Sequence, residues 1–398
     1  VALFESIILE LSKNENFGAP KIIASTATIK GADEQCRNLY LAKKGSIVFP
    51  PFGINLDDNY FSKIDKNSPG RKYLGIFNQG ENQRSTTFIN TVKALLEKSG
   101  EIKDDNYWTI LSYFNSLREK ASAYHYVVSD VKDKIDSNLR NFDIQNISEL
   151  DSRAESDDIE KILTRMEKCR IGEEDCIDVC LSSNMISVGI DIERLNIMTV
   201  FGQCRSTSEY IQATSRIGRN KDNPGLAVII YHPFRQRDKS FFEQFRSFHE
   251  SFYEHVEPSS ITPFSKPSRG RTLASVIVTY HRHIDMLKSP KDIEEKHKSN
   301  FKSFISQRVE KIDRSELKGT LEDIDKFYSK INDGNYTYWT NLDPPKDKIK
   351  NRPFCLLISY TEINKEGIRE NIDKFSFANM NMRDVDGGCQ GEQINVSK

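Results

Sequence analysis

The chain has 398 residues, of which 37% are hydrophobic and 29% charged, and its 57 Lys and Arg nearly balance 58 Asp and Glu, giving a formal net charge of −1. This composition excludes collagen-like, disulfide-rich and wholly disordered proteins, and the length allows two or three domains. No apolar run approaches the ~18 residues that span a bilayer, so we predict no membrane partner. The odd number of cysteines, seven, fits a reducing cytoplasm.

The first part of the chain reads as short elements separated by turns. It begins at Val1 with helical apolar spacing and no signal peptide, as though cut from something longer. The patterns predict helices over 1–15 and 33–43 and short buried strands over 21–25 and 45–49. Residues 55–70 are polar and rich in turn formers, which is typical of a loop or connector.

Further along, the pattern becomes more regular. Residues 73–78 resemble a strand and 84–98 a helix, and from about 107 the chain alternates strands with helices. The predicted strands are 107–114, 176–182, 197–201 and 226–231, and the helices between them are 116–140 and 206–214. Such alternation, with nearly continuous apolar strands, predicts an α/β fold with a parallel sheet covered by helices on both faces. After Pro233 the chain turns to charged helical segments at 238–256, 273–288 and 292–332, with a last strand at 354–360.

The segment YIQATSRIGR at 210–219 is the strongest candidate for chemistry, because it places Gln212, Arg216 and Arg219 on a helix end just before a strand. Residues three apart share a helix face, and planar guanidinium groups suit phosphate oxygens. An arginine offered to a γ-phosphate from a neighbouring domain can accelerate phosphoryl transfer by about 10³–10⁵-fold. Taken alone, a solvated basic helix end is an equally good interpretation.

Two other segments place small polar residues directly after a predicted strand. These are STAT at 25–28 and LSSNMISVGIDI at 181–192, whose hydroxyl, amide, glycine and acidic positions are Ser25, Thr28, Ser183, Asn184, Ser187, Gly189 and Asp191. Backbone N–H groups at a strand-to-helix junction can hold a phosphate, and ligands of parallel sheets sit at open strand ends.

In chain order, STAT, YFNS, NMISVGIDI and QATSRIGR resemble the later motifs of superfamily 2 helicases, and the resemblance implies a RecA-like fold. It implies that Ser25 and Thr28 couple ATP hydrolysis to strand binding, that Gly189 and Asp191 link strand and nucleotide, and that Gln212, Arg216 and Arg219 close over ATP. Ser215 stands where the family more often has Gly. The nucleic-acid contacts implied along this track are Asn115, Ser116, Ser183, Asn184, Ser187 and Arg153.

Longer stretches resemble the helicase subunit of bacterial DISARM antiphage systems. These run between Ile22 and Val385 and include ELDSR at 149–153, FRSFHESFYEHVEPSSITPFS at 245–265 and MNMRDV at 380–385. The resemblance implies a cytoplasmic motor for single-stranded or forked DNA, with other defence-system subunits as partners.

Neither a GxxxxGK[ST] loop for the phosphates of ATP nor a DExH box for Mg²⁺ occurs in the sequence. We therefore expect ATP and Mg²⁺ to be held by an upstream RecA-like domain, and this chain to be inactive alone. The domains expected are a remnant of the first RecA-like domain at 1–55, a connector at 56–105, the second RecA-like domain at 106–235 and a mainly helical extension at 236–398.

Several weaker patterns have two interpretations. Phe241, Phe245, Phe248 and Phe252 recur at helical spacing, which indicates core more often than a base-stacking surface. Arg269 and Arg271 flank Gly270 in a predicted loop that could contact phosphates or be merely solvated. Cys176 and Cys180 lack a CxxC partner or a His cluster, so we predict no metal site. The alternative function is a non-catalytic nucleic-acid-binding or docking subunit, which would not need the Gln212, Arg216 and Arg219 set.

Overall fold

The structure, a computed structural model, divides into two units, one of residues 26–30 and 50–258, the sheet unit, and one of residues 1–25, 31–49 and 259–398, the helical unit. The residues that the structure describes are 2–13, 20–26, 28–40, 46–51, 60, 61, 63, 65, 67–78, 84–150, 156–173, 176–183, 191–258, 261–334, 336–340, 343, 355–359 and 375–378. Within these ranges no helix is both long and apolar enough to cross a membrane.

Helices and strands alternate through the middle of the chain. The helices are α1 Ala2–Leu11, α2 Ala32–Tyr40, α3 Arg84–Ile102, α4 Leu117–His125, α5 Lys132–Lys134, α6 Ser156–Lys168, α7 Thr207–Thr214, α8 Gln236–Glu243, α9 Phe245–Glu250, α10 Lys266–His283, α11 Glu295–Ile312 and α12 Leu317–Asp333, and a π-helical turn, Tyr126–Val131, joins α4 to α5. The strands are β1 Arg71–Phe77, β2 Ile110–Phe114, β3 Ile147–Leu150, β4 Val179–Ser182, β5 Ile197–Phe201, β6 Gly225–Tyr231, β7 Tyr338–Thr340, β8 Cys355–Ser359 and β9 Ser376–Ala378.

The sheet unit contains six parallel strands in the order β1-β6-β5-β2-β4-β3. Successive residues of a strand point to opposite faces, and both faces are covered. On β2, Leu111 and Tyr113 join one buried cluster, whereas Ile110 and Phe114 join the other, with Phe88 of α3. Burial on both sides explains why these strands are continuously apolar, and it confirms the predicted parallel sheet with helices on both faces.

The observed strands follow most of the predicted ones, and 197–201 coincides with β5. Two predicted strands are wrong. Segments 21–25 and 46–49 carry no strand in the structure, and their apolar side chains are exposed, with Ile23 85% and Ile47 96% accessible. Among the described residues no neighbouring strand pairs with either segment, so their backbone lacks the ladder that a strand requires. Conversely, β3 was missed, although it pairs with β4.

The boundaries of the units also differ from the predicted domains. β1 pairs with β6 along its whole length, and α3 packs beside β6. The first strand and first helix of the sheet unit's α/β layer therefore lie inside 56–105, where the sequence suggested a connector. In the helical unit, α1 contributes Leu3 and Ile7 to the same core as Val276 of α10, although the sequence placed α1 and α10 in different domains.

The helical unit is built on α10, α11 and α12. Its core includes Ile277, Phe301 and Ile324, one from each of these helices. A small parallel sheet, in the order β7-β8-β9, adds to the helices, and the predicted strand at 354–360 corresponds to β8. The extension is thus helical with one sheet appended.

One covalent link departs from the expectation of free thiols. Cys169, after α6, and Cys176, before β4, form a disulfide with Cα atoms 4.6 Å apart. Among the described cysteines, Cys36, Cys180 and Cys204 carry free thiols. The link closes the segment that leads from α6 into the sheet.

Candidate functional site

The segment with Gln212, Arg216 and Arg219 runs from one edge of the sheet to the other. α7 begins beyond the carboxyl end of β5, where the Ser206 hydroxyl accepts a hydrogen bond from the Glu209 N–H (3.1 Å). After α7 ends, the Gly218 N–H donates to the carbonyl of Leu195 (3.0 Å), which precedes β5. The two arginines therefore lie at the amino edge of the sheet.

Gly218 makes the turn of this segment possible. Its φ is +59°, and a Cβ built there would lie 2.7 Å from the backbone nitrogen of Gly225 at the start of β6. A side chain would therefore meet both a left-handed backbone and a neighbouring main chain. Close backbone approach explains the glycine of SRIGR without any ligand.

Gly218→Ala is expected to lower the free energy of unfolding by about 2 kcal/mol or more, because it combines left-handed strain with a backbone clash. The matched substitution is Gly270→Ala on the exposed side of α10, where no atom lies within 4 Å of the new Cβ. That variant should gain about 0.5–1 kcal/mol from helix propensity. Urea unfolding measures both changes, and equal stability of the two variants would contradict this account.

Arg219 and Asp191 were singled out in different motifs, and the structure brings them together. The Arg219 Nη1 forms an ion pair with the Asp191 carboxylate, and its Nε donates to the Ser215 carbonyl (3.1 Å). The Asp191 side chain is 75% exposed. A guanidinium held by one accessible carboxylate can exchange that partner for a phosphate at small cost.

Gln212 joins the segment to the STAT motif. Its Nε2 donates to the Thr28 hydroxyl (3.2 Å), across 184 residues of sequence. Arg216 is half-buried one turn further along. Ser25 is exposed and belongs to the helical unit, so the structure unites only Thr28 of that motif with Gln212.

Two groups that support this segment escaped prediction. Arg71, the first residue of β1, donates from Nε to the Ile217 carbonyl (2.6 Å). On the other side, the Tyr210 hydroxyl bonds Nε2 of His249 (2.7 Å), and burial lowers the pKa of His249. No sequence pattern links residues so far apart. The phenylalanine stripe of α8 and α9 packs on the same buried cluster, which confirms its interpretation as core.

Three of the predicted nucleic-acid contacts, Asn115, Ser116 and Ser183, lie at the opposite, carboxyl edge. Asn115 follows β2, and its Nδ2 donates to the carbonyls of Phe201 (3.3 Å) and Gln203 (3.1 Å) beyond β5. Ser116 caps α4 by accepting from the Glu119 N–H (3.2 Å). Ser183 follows β4 and is buried, and its hydroxyl has no partner among the described residues. Asn115 thus holds the segment after β5 in place, and Ser116 fixes the start of α4.

A cleft of about 650 Å³ opens at this carboxyl edge. Its walls hold five arginines against two carboxylates, the charged and titratable groups being Arg84, Arg118, Arg205, Arg235, Arg237, His232, Glu119 and Asp238. Burial, followed by nearby Arg84 and Arg235, lowers the pKa of His232, so that its ring is neutral at pH 7. The cleft therefore carries a net positive charge suited to phosphate groups. Its arginines come from four separate segments, which is why no sequence motif marked it.

Other predicted contacts are placed differently. Arg269 lies in α10 and not in the predicted loop, and it is buried there and pairs with Glu316 and Asp323 (2.8 Å) of its own unit. Arg271 lies on the exposed side of α10, in a helix and not in the predicted loop. The remaining predicted residues lie outside the described part of the chain, and they are Arg153, Asn184, Ser187 and Gly189.

Comparison with known proteins agrees with this geometry. Residues 108–221 match the family model of the helicase conserved C-terminal domain, and this stretch contains β2, β5, α7 and both sheet edges. The sheet is the RecA-like fold of a helicase C-terminal domain, as the motif order predicted. Over 96% of its length the chain is also 32% identical to the DISARM protein DrmA of Bacillus paralicheniformis, so it is a relative of that protein. The chain spans 36% of the length of this relative.

Among solved structures, the fold resembles two DNA-bound helicases. The DUF1998 helicase MrfA bound to DNA and AMPPNP has a TM-score of 0.46 and 14% identity, over 71% of this chain and 35% of MrfA. The Mycobacterium smegmatis helicase Lhr bound to ssDNA and AMP-PNP has a TM-score of 0.44 and 10% identity, over 78% of this chain and 33% of Lhr.

Proposed function

We propose that the chain is the C-terminal motor portion of an ATP-dependent DNA helicase or translocase that acts in cytoplasmic antiphage defence. The observation that carries the proposal is the hydrogen bond from Gln212 to Thr28, because it joins two segments that are 184 residues apart and both match motor motifs. The 32% identity to a DISARM protein supports the defence role.

ATP with Mg²⁺ is the nucleotide proposed for the intact enzyme. Gln212 lies in α7, and Arg216 and Arg219 lie in the turn that follows it. Their amide and guanidinium groups have the donors that triphosphate oxygens accept. In this proposal Arg216 and Arg219 stabilise the charge of phosphoryl transfer when this domain and the upstream domain close over ATP, and Thr28 and Asp191 connect that closure to the nucleic-acid strand.

An upstream RecA-like domain is the partner that would complete the site. The exposed apolar segments support this part of the proposal, since Ile23 and Ile47 are 85% and 96% accessible to solvent. Burying one such side chain contributes about 1.5–3 kcal/mol. Segments 21–25 and 46–49 would then be covered by that upstream domain.

DNA is the proposed track, held at the carboxyl edge by Asn115, Ser116 and Ser183 and by the basic cleft. Contacts there would be mainly to phosphates, so binding should be independent of sequence and weakened by salt. The positive charge of the cleft supports a nucleic-acid track. In this proposal other defence-system subunits assemble around the same motor.

Restoring the upstream half tests the motor proposal. The chain alone is expected to hydrolyse no ATP above the buffer rate, whereas adding the upstream half, in cis or as a separate chain, should give ATPase activity that single-stranded DNA stimulates. The upstream half alone serves as the control. A reconstituted protein that binds DNA but hydrolyses no ATP would identify a non-catalytic binding subunit instead.

A further inference from the structure

Arg84, at the start of α3, lies on the wall of the basic cleft and is nearly enclosed. Its side chain is 8% exposed, and the guanidinium carbon stands 3.5 Å from the centre of the Phe201 ring. Burial lowers the pKa of Arg84, and the nearby Glu119 carboxylate opposes that shift. A guanidinium group so enclosed loses most of its hydration, so charged or polar groups around it must stabilise its charge.

The hydrogen bonds of Arg84 are incomplete. Its Nη1 donates to Glu119, but Nε and Nη2 are buried and have no partner among the described residues. Nη2 occupies space that only glycine leaves free, because a Cβ at Gly202 would lie 2.5 Å from it. On the same wall the Gln203 amide and Oδ1 of Asn115 also have no partner within the part of the chain that the structure describes. Buried polar atoms are nearly always satisfied in native proteins, so this cluster offers donors and acceptors that a phosphate could use.

Glu119 occupies the position between two arginines. Its Oε1 accepts from Nη1 of Arg84 (3.1 Å) and from Nη2 of Arg235 (3.0 Å). Arg235 is half-exposed, so an incoming anion can reach it. The second carboxylate of the cleft, Asp238, is engaged elsewhere, accepting from the His232 N–H (2.7 Å). One carboxylate oxygen shared by two guanidinium groups has the place and charge of a phosphate oxygen.

We propose that Arg84 and Arg235 form a phosphate-binding subsite on the DNA track, and that Glu119 occupies it as an internal competitor when no nucleic acid is bound. An incoming phosphate displaces the carboxylate and takes both guanidinium groups, and Glu119 turns to the solvent side of the cleft. The negative charge of Glu119 thereby weakens phosphate binding, so a higher concentration of nucleic acid is needed to fill the subsite. The inference rests on the proposed nucleic-acid track, whereas the ATP site plays no part in it.

Anisotropy of a fluorescein-labelled oligothymidine with the full chain tests the subsite. Glu119→Gln keeps the shape and removes the charge, so it should tighten binding about tenfold. Arg235→Ala should weaken binding about tenfold and reduce the slope of log affinity against log salt by about one. The charge-matched controls are Glu250→Gln and Arg246→Ala, an exposed pair on α9 outside the cleft, and both should bind like the parent chain.

The 5′ end group of the oligonucleotide distinguishes two sources of phosphate, the backbone diesters and a terminal phosphate. Oligothymidine with a 5′-phosphate and with a 5′-hydroxyl should bind equally if the subsite takes backbone diesters; a preference for the 5′-phosphate that Arg235→Ala removes would assign terminal phosphates. If the chain binds DNA but Glu119→Gln and Arg235→Ala both match it, the subsite is overturned while the motor proposal, read from ATP hydrolysis, stands. If neither the parent chain nor any variant binds DNA at low salt, that result contradicts both the subsite and the proposed DNA track.

Discussion

Arg216→Ala or Arg219→Ala in the protein reconstituted with its upstream half is expected to lower kcat of DNA-stimulated ATP hydrolysis by about 10³-fold. The reason is that a guanidinium directed at a transferring phosphoryl group stabilises charge that exists only in the transition state. Steady-state phosphate release measures the change. Arg246→Ala, which removes a 91% exposed arginine on α9, is the matched control and should keep the parent rate.

Loss of folding is a separate explanation that the structure allows us to test. Arg219 pairs with a mostly exposed carboxylate, and such a pair contributes about 0–1 kcal/mol to stability. Arg219→Ala should therefore unfold at nearly the parent urea concentration while its ATPase is lost. Arg219→Lys should also remain slow, because an ammonium keeps the charge but loses the planar fork. Parent-like kcat in both alanine variants would remove these residues from the ATP site.

Asp178→Ala is expected to lower the free energy of unfolding by about 3–5 kcal/mol, because it leaves a charge buried without its counter-ion. Asp178 accepts from Nη2 of Arg140 (2.6 Å), and both side chains are enclosed. Arg140 also bonds Ser99 and the Trp108 carbonyl (2.9 Å), so it cannot turn toward water without breaking them. Burial lowers the pKa of Arg140 and raises that of Asp178, against their mutual attraction.

Urea unfolding of the chain measures this loss. Asp158→Ala breaks the exposed pair with Lys161 and should change stability by less than about 0.5 kcal/mol. Asp178→Asn, which retains an acceptor oxygen, should fall between the parent and Asp178→Ala. A loss below about 1 kcal/mol for Asp178→Ala would mean that Arg140 finds another partner or reaches solvent.

The strands show what a local pattern of apolar residues can predict about the fold and what it cannot. β5 and β6 were recognised because strands buried on both faces are continuously apolar, a pattern that loops rarely show. Segments 21–25 and 45–49 have the same pattern, yet the described residues of both are exposed coil. A strand is stable only beside another strand, and local pattern does not report the neighbour. β3 was missed for the complementary reason, since its four residues are ordinary and its pairing with β4 makes it a strand.

By itself the sequence determined which segments carry the candidate functional residues and in what order they occur. QATSRIGR and the preceding motifs are continuous stretches, so they can be recognised without a structure. Only the tertiary structure decided which edge of the sheet each one occupies. It placed Arg219 beside Asp191 at the amino edge, and it assembled Arg84, Glu119 and Arg235 at the carboxyl edge. Parallel strands bring their carboxyl ends to one side whatever their separation in sequence. The basic cleft is therefore a consequence of strand order, and no single stretch of the chain encodes it.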